Sequence, residues 1–364
     1  MANIFGKNIT LTLFGESHGK YIGATLDGVA PGIKIDEEYI NSCLLKRRPR
    51  SKIETSRLEK DEYEFVSGVF NSYTTGSPLT VLIKNEDINS SSYEETKNIA
   101  RPSHVDYVSH IKYDGFNDYR GGGHFSGRLT TPIVVLGAVL KRALEFKNIY
   151  IGTHIKKCGE VVDRDFVLSK DDITLINSKN IPVLNDIEND VENEILKVAS
   201  QGDSIGGILQ TAVTGLEVGL GEPYFSSLES ELASAMFSLG GVKGIEFGLG
   251  FEFANRVGSS SNDEFAVVDD KIITKTNNNG GINGGISNGM DVIFNIVVKP
   301  TPSISKTQNT VDFVNKENVE LNIKGRHDPA FIRRLSIVVE CLTALVISDF
   351  IAIRHGTNYL KEGK

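Results

Sequence analysis

The sequence predicts a mixed fold of the α+β or α/β class, and three observations lead there. Short runs rich in β-branched and aromatic residues alternate with stretches whose apolar residues recur at helical spacing. No shift in composition marks a flexible linker, and no fixed-period repeat points to a solenoid. Glycine supplies 36 of the 364 residues and gathers at 121–123, 240–250 and 280–289, as expected where tight turns join short elements.

Along the chain, Ile9–Phe14 alternates as a strand. Asp36 suits the N-cap of a helix over 37–48, with Ile40, Cys43 and Leu44 as its apolar stripe. Arg47 continues that stripe, so its guanidinium is expected to point inward, toward an anion. Glu64–Val69 and Leu79–Ile83 read as strands. Thr131 and Pro132 read as N-cap and first residue of a helix reaching about 147, with Val135, Val139, Arg142 and Phe146 spaced along it. Gly207–Val218, Ile245–Phe253 and Val292–Val298 complete the strands, and Leu228, Leu232, Met236 and Leu239 mark another helix. Asp328 and Pro329 read as N-cap and first residue of a long C-terminal helix. Its stretch Phe331–Ile353 is the most apolar of the chain. Arg333, Arg334, Glu340 and Asp349 interrupt it, so a buried helix is expected, not a membrane span. The polar segments 85–98 and 258–280 read as surface loops, the second long enough to move or to serve function.

Composition narrows the function classes. A net charge of −8 argues against a general nucleic-acid binder. Lys46, Arg47, Arg48, Arg50 and Lys52 nevertheless fall close together. Such a patch suits a small polyanion, or else a solvated helix end. Cys43, Cys158 and Cys341 are isolated, so neither a disulfide framework nor a zinc site is signalled, and reduced thiols in the cytoplasm are the simple reading. The N-terminus lacks a charged stretch followed by an apolar one, so no secretory signal is expected.

Of the seven histidines, three sit in short motifs bounded by glycine or proline: Gly15-Glu16-Ser17-His18-Gly19, Arg101-Pro102-Ser103-His104-Val105-Asp106 and Gly325-Arg326-His327-Asp328-Pro329. Imidazole titrates near neutrality, so proton chemistry in the cell recruits it first. Each motif also holds a carboxylate or an arginine, which suggests one site assembled from distant segments. Gly121-Gly122-Gly123, flanked by Arg120 and Arg128, allows consecutive amides to face one anion. The glycines around Gly284, with Lys299, Thr301 and Ser303 beyond, suit a phosphate or a planar ring. No GxGxxG, Walker A or HExxH pattern occurs.

The ordered segments FGESHG (14–19), KRRP (46–49), SGVF (67–70), TTGSPL (74–79), RPSHVDY (101–107), KYDGFNDYRGGG (112–123), GDSIGG (202–207), GVKGIEFGLGF (241–251), GGINGGISNG (280–289), KPTPSIS (299–305) and GRHDP (325–329) resemble the chorismate synthase family. The resemblance implies a single domain over 1–364 of the α+β class. Its fold would be a β-α-β sandwich, with helices packed between antiparallel-rich sheets. It implies a lyase of the shikimate pathway, serving aromatic amino acid biosynthesis. The reaction is the 1,4-anti elimination of phosphate from 5-enolpyruvylshikimate 3-phosphate to give chorismate. It depends on reduced FMN with no net redox change. An external reductant would supply the flavin's electrons, with NADPH as indirect source, and a homotetramer is implied.

By the same resemblance His18 is the acid near the leaving phosphate, His104 sits near the flavin, and Asp328 assists proton movement. Arg48, Arg120, Arg128 and Arg333 clamp substrate anions. Cofactor contacts map onto His124, Phe125, Ser126, Gly240, Gly241, Gly284, Lys299, Pro300, Thr301, Pro302, Ser303 and Arg326, and Arg47 and Lys52 match positions tied to NADP. Three segments depart from the family pattern. His124-Phe125-Ser126-Gly127-Arg128 stands where Arg-Ser-Ser-Ala-Arg is usual, Arg48-Pro49-Arg50-Ser51-Lys52 is one residue short, and Gly240-Gly241 replaces Asn-Ala. The competing classes are an NADPH-consuming flavin oxidoreductase and a non-catalytic binder.

Overall fold

Two five-stranded antiparallel sheets enclose the two most buried helices of the chain. The structure is a computed structural model, and it describes residues 3–50, 53–54, 60–86, 94, 96–323 and 328–362. The first sheet contains β1 (Ile4–Phe5), β2 (Thr10–Gly15), β3 (Tyr21–Asp27), β4 (Tyr63–Ser67) and β5 (Leu79–Lys84), in the order β1-β2-β3-β5-β4. The second contains β6 (Tyr150–Cys158), β7 (Val161–Val162), β8 (Gly207–Thr214), β9 (Val242–Phe247) and β10 (Val292–Val298), in the order β9-β10-β8-β6-β7.

The α-helices longer than one turn among the described residues are α1 (Glu37–Arg47), α2 (Asp106–Lys112), α3 (Thr130–Glu145), α4 (Ser169–Ser178), α5 (Glu188–Ala199), α6 (Leu228–Phe237) and α7 (Ile332–His355). Helix α3 packs on β3 and β5, α7 packs on β6 and β8, and the two cross each other between the sheets. This is the expected β-α-β sandwich. One contiguous hydrophobic core runs through both sheets and both helices. The crossing is close because Gly137 lies against Cys341, where an added Cβ would come within 2.5 Å of the Cys341 Cβ. Helix α7 is long and apolar enough to cross a membrane, but it lies inside the protein as a core helix. Its charges are held there: Glu340 pairs with Lys141 at 2.7 Å, and the Asp349 carboxylate accepts the amides of Lys7, Asn8 and Ile9.

Local signals placed α1, α6 and β10 well. The Asp36 carboxylate accepts the Tyr39 amide at 3.1 Å, which closes the first turn of α1. Helix α3 starts one residue before the expected cap. Thr130 and Thr131 turn their hydroxyls back to the carbonyls of Gly127 and Arg128, so neither caps from outside. Helix α7 starts at Ile332, and Asp328 does not cap it, because its carboxylate is taken by Arg334. The strand expected to reach Val218 ends at Thr214, and that expected to reach Phe253 ends at Phe247 before a 3-10 turn over Gly250–Asn255. Segment 258–280 is no open loop, since Phe265–Val268 and Lys271–Thr274 pair as a hairpin. Within 85–98, residues 87–93 and 95 lie outside the described residues.

Candidate active site

Six stretches of chain meet at one end of the sandwich: the end of β2, the residue after β5, the end of α1, the 101–106 turn, the 120–131 segment leading into α3, and the start of α7. The glycine turn is its centre. Gly121, Gly122 and Gly123 all have positive φ, a backbone path that side chains with a Cβ rarely follow. A Cβ on Gly121 would lie 2.2 Å from His18 Cε1, and one on Gly122 would lie 3.8 Å from His104 Cε1. The two histidines therefore lie against adjacent glycines of one turn.

Several bonds hold His18, which is buried, in place. The Ser17 amide donates to the Gly123 carbonyl at 3.1 Å, and the Ser17 hydroxyl lies within 3.2 Å of His18 Nδ1 and of the Arg120 and Gly121 carbonyls. Asn85, just after β5, donates to the Glu16 and Gly19 carbonyls at 3.0 and 2.9 Å and so closes the His18 turn. The Asn85 oxygen accepts from Arg128 Nε at 3.3 Å, tying that turn to the cationic side of the site.

The cations gather on Asp61. Its buried carboxylate lies 3.4 Å from Arg47 Nη1 and 3.5 Å from Arg48 Nε, and it bonds Arg128 Nη1. Asp61 also has φ of 51°, an uncommon conformation for a residue other than glycine. Three guanidinium groups on one carboxylate leave a net positive site, which suits a phosphate or carboxylate ligand. Arg47 points inward as expected, but its anion within the chain is Asp61; Nε and Nη2 also donate to Thr130 and to the Gly127 carbonyl. Arg120 is held bidentately by Asp118, whose carboxyl is kept below its ordinary value by those bonds.

Asp328 joins the same cluster through Arg334, which bonds the Asp328 carboxylate and the Arg47 carbonyl. Lys299 donates to the Ser103 carbonyl at 2.6 Å, one residue before His104, and its own amide bonds the Gly241 carbonyl. Burial and the neighbouring Lys243 lower the Lys299 ammonium from its ordinary value, so an anion here would relieve both. Beyond Pro300, the Thr301 hydroxyl is buried with no hydrogen-bond partner among the described residues. Gly240 faces open space. An orphaned buried hydroxyl, two crowded ammonium groups and a glycine-lined turn fit a phosphorylated planar cofactor held beside Lys299–Ser303, including Pro302.

Other expected site residues sit elsewhere or do other work. The Arg333 guanidinium is buried and spent on Glu54 and on the carbonyls of Lys46 and Arg48, so it braces the α1 end and does not face a ligand. His124 lies between the Gly15 carbonyl and the Asn3 side chain, at 2.7 and 3.1 Å, and anchors the glycine turn to β2. The Ser126 hydroxyl accepts the Arg128 amide, while Phe125 is half exposed beside Tyr113. Gly284 forms the turn of the Ile282–Asn283/Ile286–Ser287 hairpin that feeds the start of β10. Lys299 follows the other end of that strand, which spans about 20 Å at the usual rise. Lys52, Arg326 and His327 lie outside the described residues. Asp61 and Asn85 carried no distinct signal in the sequence: each sits in a charged run, Lys60-Asp61-Glu62 and Lys84-Asn85-Glu86, and its partners come from distant segments.

Comparison with known proteins is consistent with this arrangement. The family described as chorismate synthase matches residues 9–352. A chorismate synthase of Pyrococcus abyssi is 44% identical over 352 residues, covering 96% of this chain and 98% of that protein. One of Dehalococcoides mccartyi is 42% identical over 359 residues, covering 98% of each. A solved structure titled as the crystal structure of chorismate synthase superposes with a TM-score of 0.76 at 27% identity, covering 96% of this chain and 94% of that one. With matches of this extent in family, sequence and fold, the chain belongs to the chorismate synthase family.

Proposed function

We infer that the glycine turn between His18 and His104 is the active site at which this chain carries out its family's reaction. That reaction eliminates phosphate from 5-enolpyruvylshikimate 3-phosphate to give chorismate. The observation that carries the assignment is the placement of both imidazoles against adjacent glycines of one turn.

The chemistry asks for three things: anion binding, a proton for the departing phosphate, and removal of a proton from the ring. Arg48 and Arg128, preassembled on Asp61 with Arg47, bind the phosphate and carboxylates, and Arg120 lies beside the glycine turn. His18 donates the proton to the leaving phosphate from its buried position next to Ser17. His104 faces the cofactor across Gly122, and Asp328, steadied by Arg334, moves protons at the far side. Lys299, Thr301 and Ser303 hold the cofactor with the backbone of Gly240 and Gly241. Reduced FMN, when bound, supplies transient electron density to the breaking carbon–oxygen bond and recovers it, so no net redox change occurs.

The reductant that maintains the flavin is external, with NADPH as its electron source. A homotetramer is the working assembly. Large apolar groups left exposed support it, among them Phe225, Phe251, Phe265 and Ile272. The three free, buried cysteines fit a cytoplasmic protein.

The test is turnover under anaerobic conditions with the enolpyruvyl substrate and FMN, with and without dithionite. Chorismate and phosphate should appear in equal amounts only with reduced flavin, without matching flavin oxidation. His18→Ala and His104→Ala should each lose about 100-fold or more in kcat with folding intact. Wild-type rates in both variants would overturn the site assignment.

A further inference from the structure

We propose that Asp106, aligned by Arg101, is the positioning residue that sets the tautomer of His104 and leaves its Nε2 as the proton-exchanging atom beside the glycine turn. The proposal rests on the reading of His104 as the group facing the cofactor.

The 101–106 turn is built to hold a carboxylate still. Arg101 grips Asp106 through Nε at 2.8 Å, Nη2 at 2.6 Å and its own amide at 3.0 Å. The His104 amide donates to the Arg101 carbonyl at 3.0 Å, Ser103 takes up a left-handed φ of 59°, and Lys299 from the end of β10 donates to the Ser103 carbonyl. A non-glycine residue in that conformation is uncommon and persists only where the surroundings impose it. The charged groups bonded to this turn, among the described residues, are Arg101, Asp106 and Lys299.

His104 Nδ1 meets two opposed partners. Asp106 Oδ1 lies at 2.7 Å and Arg101 Nη2 at 3.0 Å. A guanidinium only donates and a carboxylate only accepts. Nδ1 therefore either donates a hydrogen bond to Asp106 or accepts one from Arg101. The carboxylate contact is the shorter one, and the Arg101 nitrogen already donates to the same oxygen. Although burial alone pushes the Asp106 carboxyl up, the bonds from Arg101 and His104 outweigh it and hold the group well below its ordinary value. Asp106 thus stays an acceptor, and the Nδ1 proton points to it.

The neutral ring then carries its lone pair on Nε2, 4.0 Å from the point where a Gly122 Cβ would sit. A proton arriving there makes an imidazolium beside Asp106, and its departure restores the neutral ring with Nδ1–H unchanged. The His104 side chain is about a fifth exposed, and its Nε2 lies beside Gly122.

The test is Asp106→Asn. Arg101 competes for the single amide oxygen, which turns the amide NH2 toward Nδ1 and moves the ring proton to Nε2. Nitrogen-15 NMR of histidine-labelled protein, with the His104 signals identified by their loss in His104→Ala, should show the neutral ring protonated on Nδ1 in the wild type and on Nε2 in the variant. The kcat should fall about 100-fold or more while KM stays within about threefold. Arg101→Lys, which loosens the carboxylate without removing it, should give a smaller fall in kcat and serves if the first variant does not fold. A wild-type ring protonated on Nε2, or a tautomer unchanged in Asp106→Asn, overturns the proposal. A tautomer that moves with kcat unchanged upholds the control by Asp106 and instead overturns the role of His104.

Discussion

The Lys141–Glu340 pair in the seam between α3 and α7 is open to a quantitative test. Both residues are 3% exposed, with Nζ and Oε2 at 2.7 Å, and Glu340 Oε1 accepts the Thr153 amide of β6 at 3.0 Å. Burial alone would push the Lys141 ammonium toward neutrality, but Glu340 together with Tyr39, Cys43 and Glu145 outweighs it and holds the group well above its ordinary value. Glu340→Ala strands that ammonium, at about 3–5 kcal/mol. Neutralising the lysine instead sets a ceiling near 4.6 kcal/mol at pH 7. The Thr153 amide, left without an acceptor, adds about 1–3 kcal/mol. The expected loss is about 5 kcal/mol. With the usual unfolding entropy per residue over 364 residues, that is a fall of about 6 °C in Tm. Replacing both residues by methionine removes the charge problem and should stay within about 2 kcal/mol of wild type. Urea and thermal unfolding followed by circular dichroism measure both. Because the folded lysine's pKa is raised, its contribution is fully present below the unfolded value near 10.4 and lost only as pH rises through the folded one. In Glu340→Ala the stranded ammonium is instead pushed down by burial, so that variant gains stability as pH rises and the deficit should shrink toward pH 9, where the ceiling for neutralising the lysine is about 2 kcal/mol. A single variant within 1 kcal/mol of wild type, or a double variant as unstable as the single one, refutes the reasoning.

Two further substitutions test the glycines that permit close approach. Gly137→Ala should lower the unfolding free energy by about 1–3 kcal/mol, because its Cβ would meet Cys341 at 2.5 Å. The opposite sign, a gain of about 1 kcal/mol from helix propensity, would show that the α3–α7 crossing tolerates the methyl group. Gly121→Ala puts a Cβ 2.2 Å from His18 at a φ of 58° and should displace the imidazole. Turnover should fall about 100-fold or more, while FMN binding measured by fluorescence quenching persists; unchanged turnover would remove Gly121 from the site.

Much of the fold was legible because its signals are local. Asp36 capping α1, the apolar spacing of α6 and the alternation of β10 depend on neighbours a few residues away. Strands β3 and β6 went unread for a contrary reason. Strand β6 carries Thr153 and His154 into the core, where Thr211, Asp163 and Gln210 satisfy them, so its polar residues look like those of a surface segment. Asp328 followed by Pro329 looked like a helix start, yet Arg334 captures the carboxylate and α7 begins later. Arg333 looked like an anion clamp, and Glu54 supplies its anion from within the chain.

By itself the sequence determined the family, through motifs that keep their identity and order along nearly the whole chain. It also determined the types of group available for the chemistry: imidazoles, guanidiniums and glycine turns. Only the tertiary structure decided that His18 and His104 share the Gly121–Gly122 turn, that three arginines converge on Asp61, that Asn85 closes the His18 turn, and that Gly284 lies at the far end of β10. The reason is physical. A motif encodes its own turn through nearest-neighbour sterics and hydrogen bonds. Which motifs meet depends on strand pairings and helix crossings between residues far apart in the chain, and these are specified by the packing of the entire core.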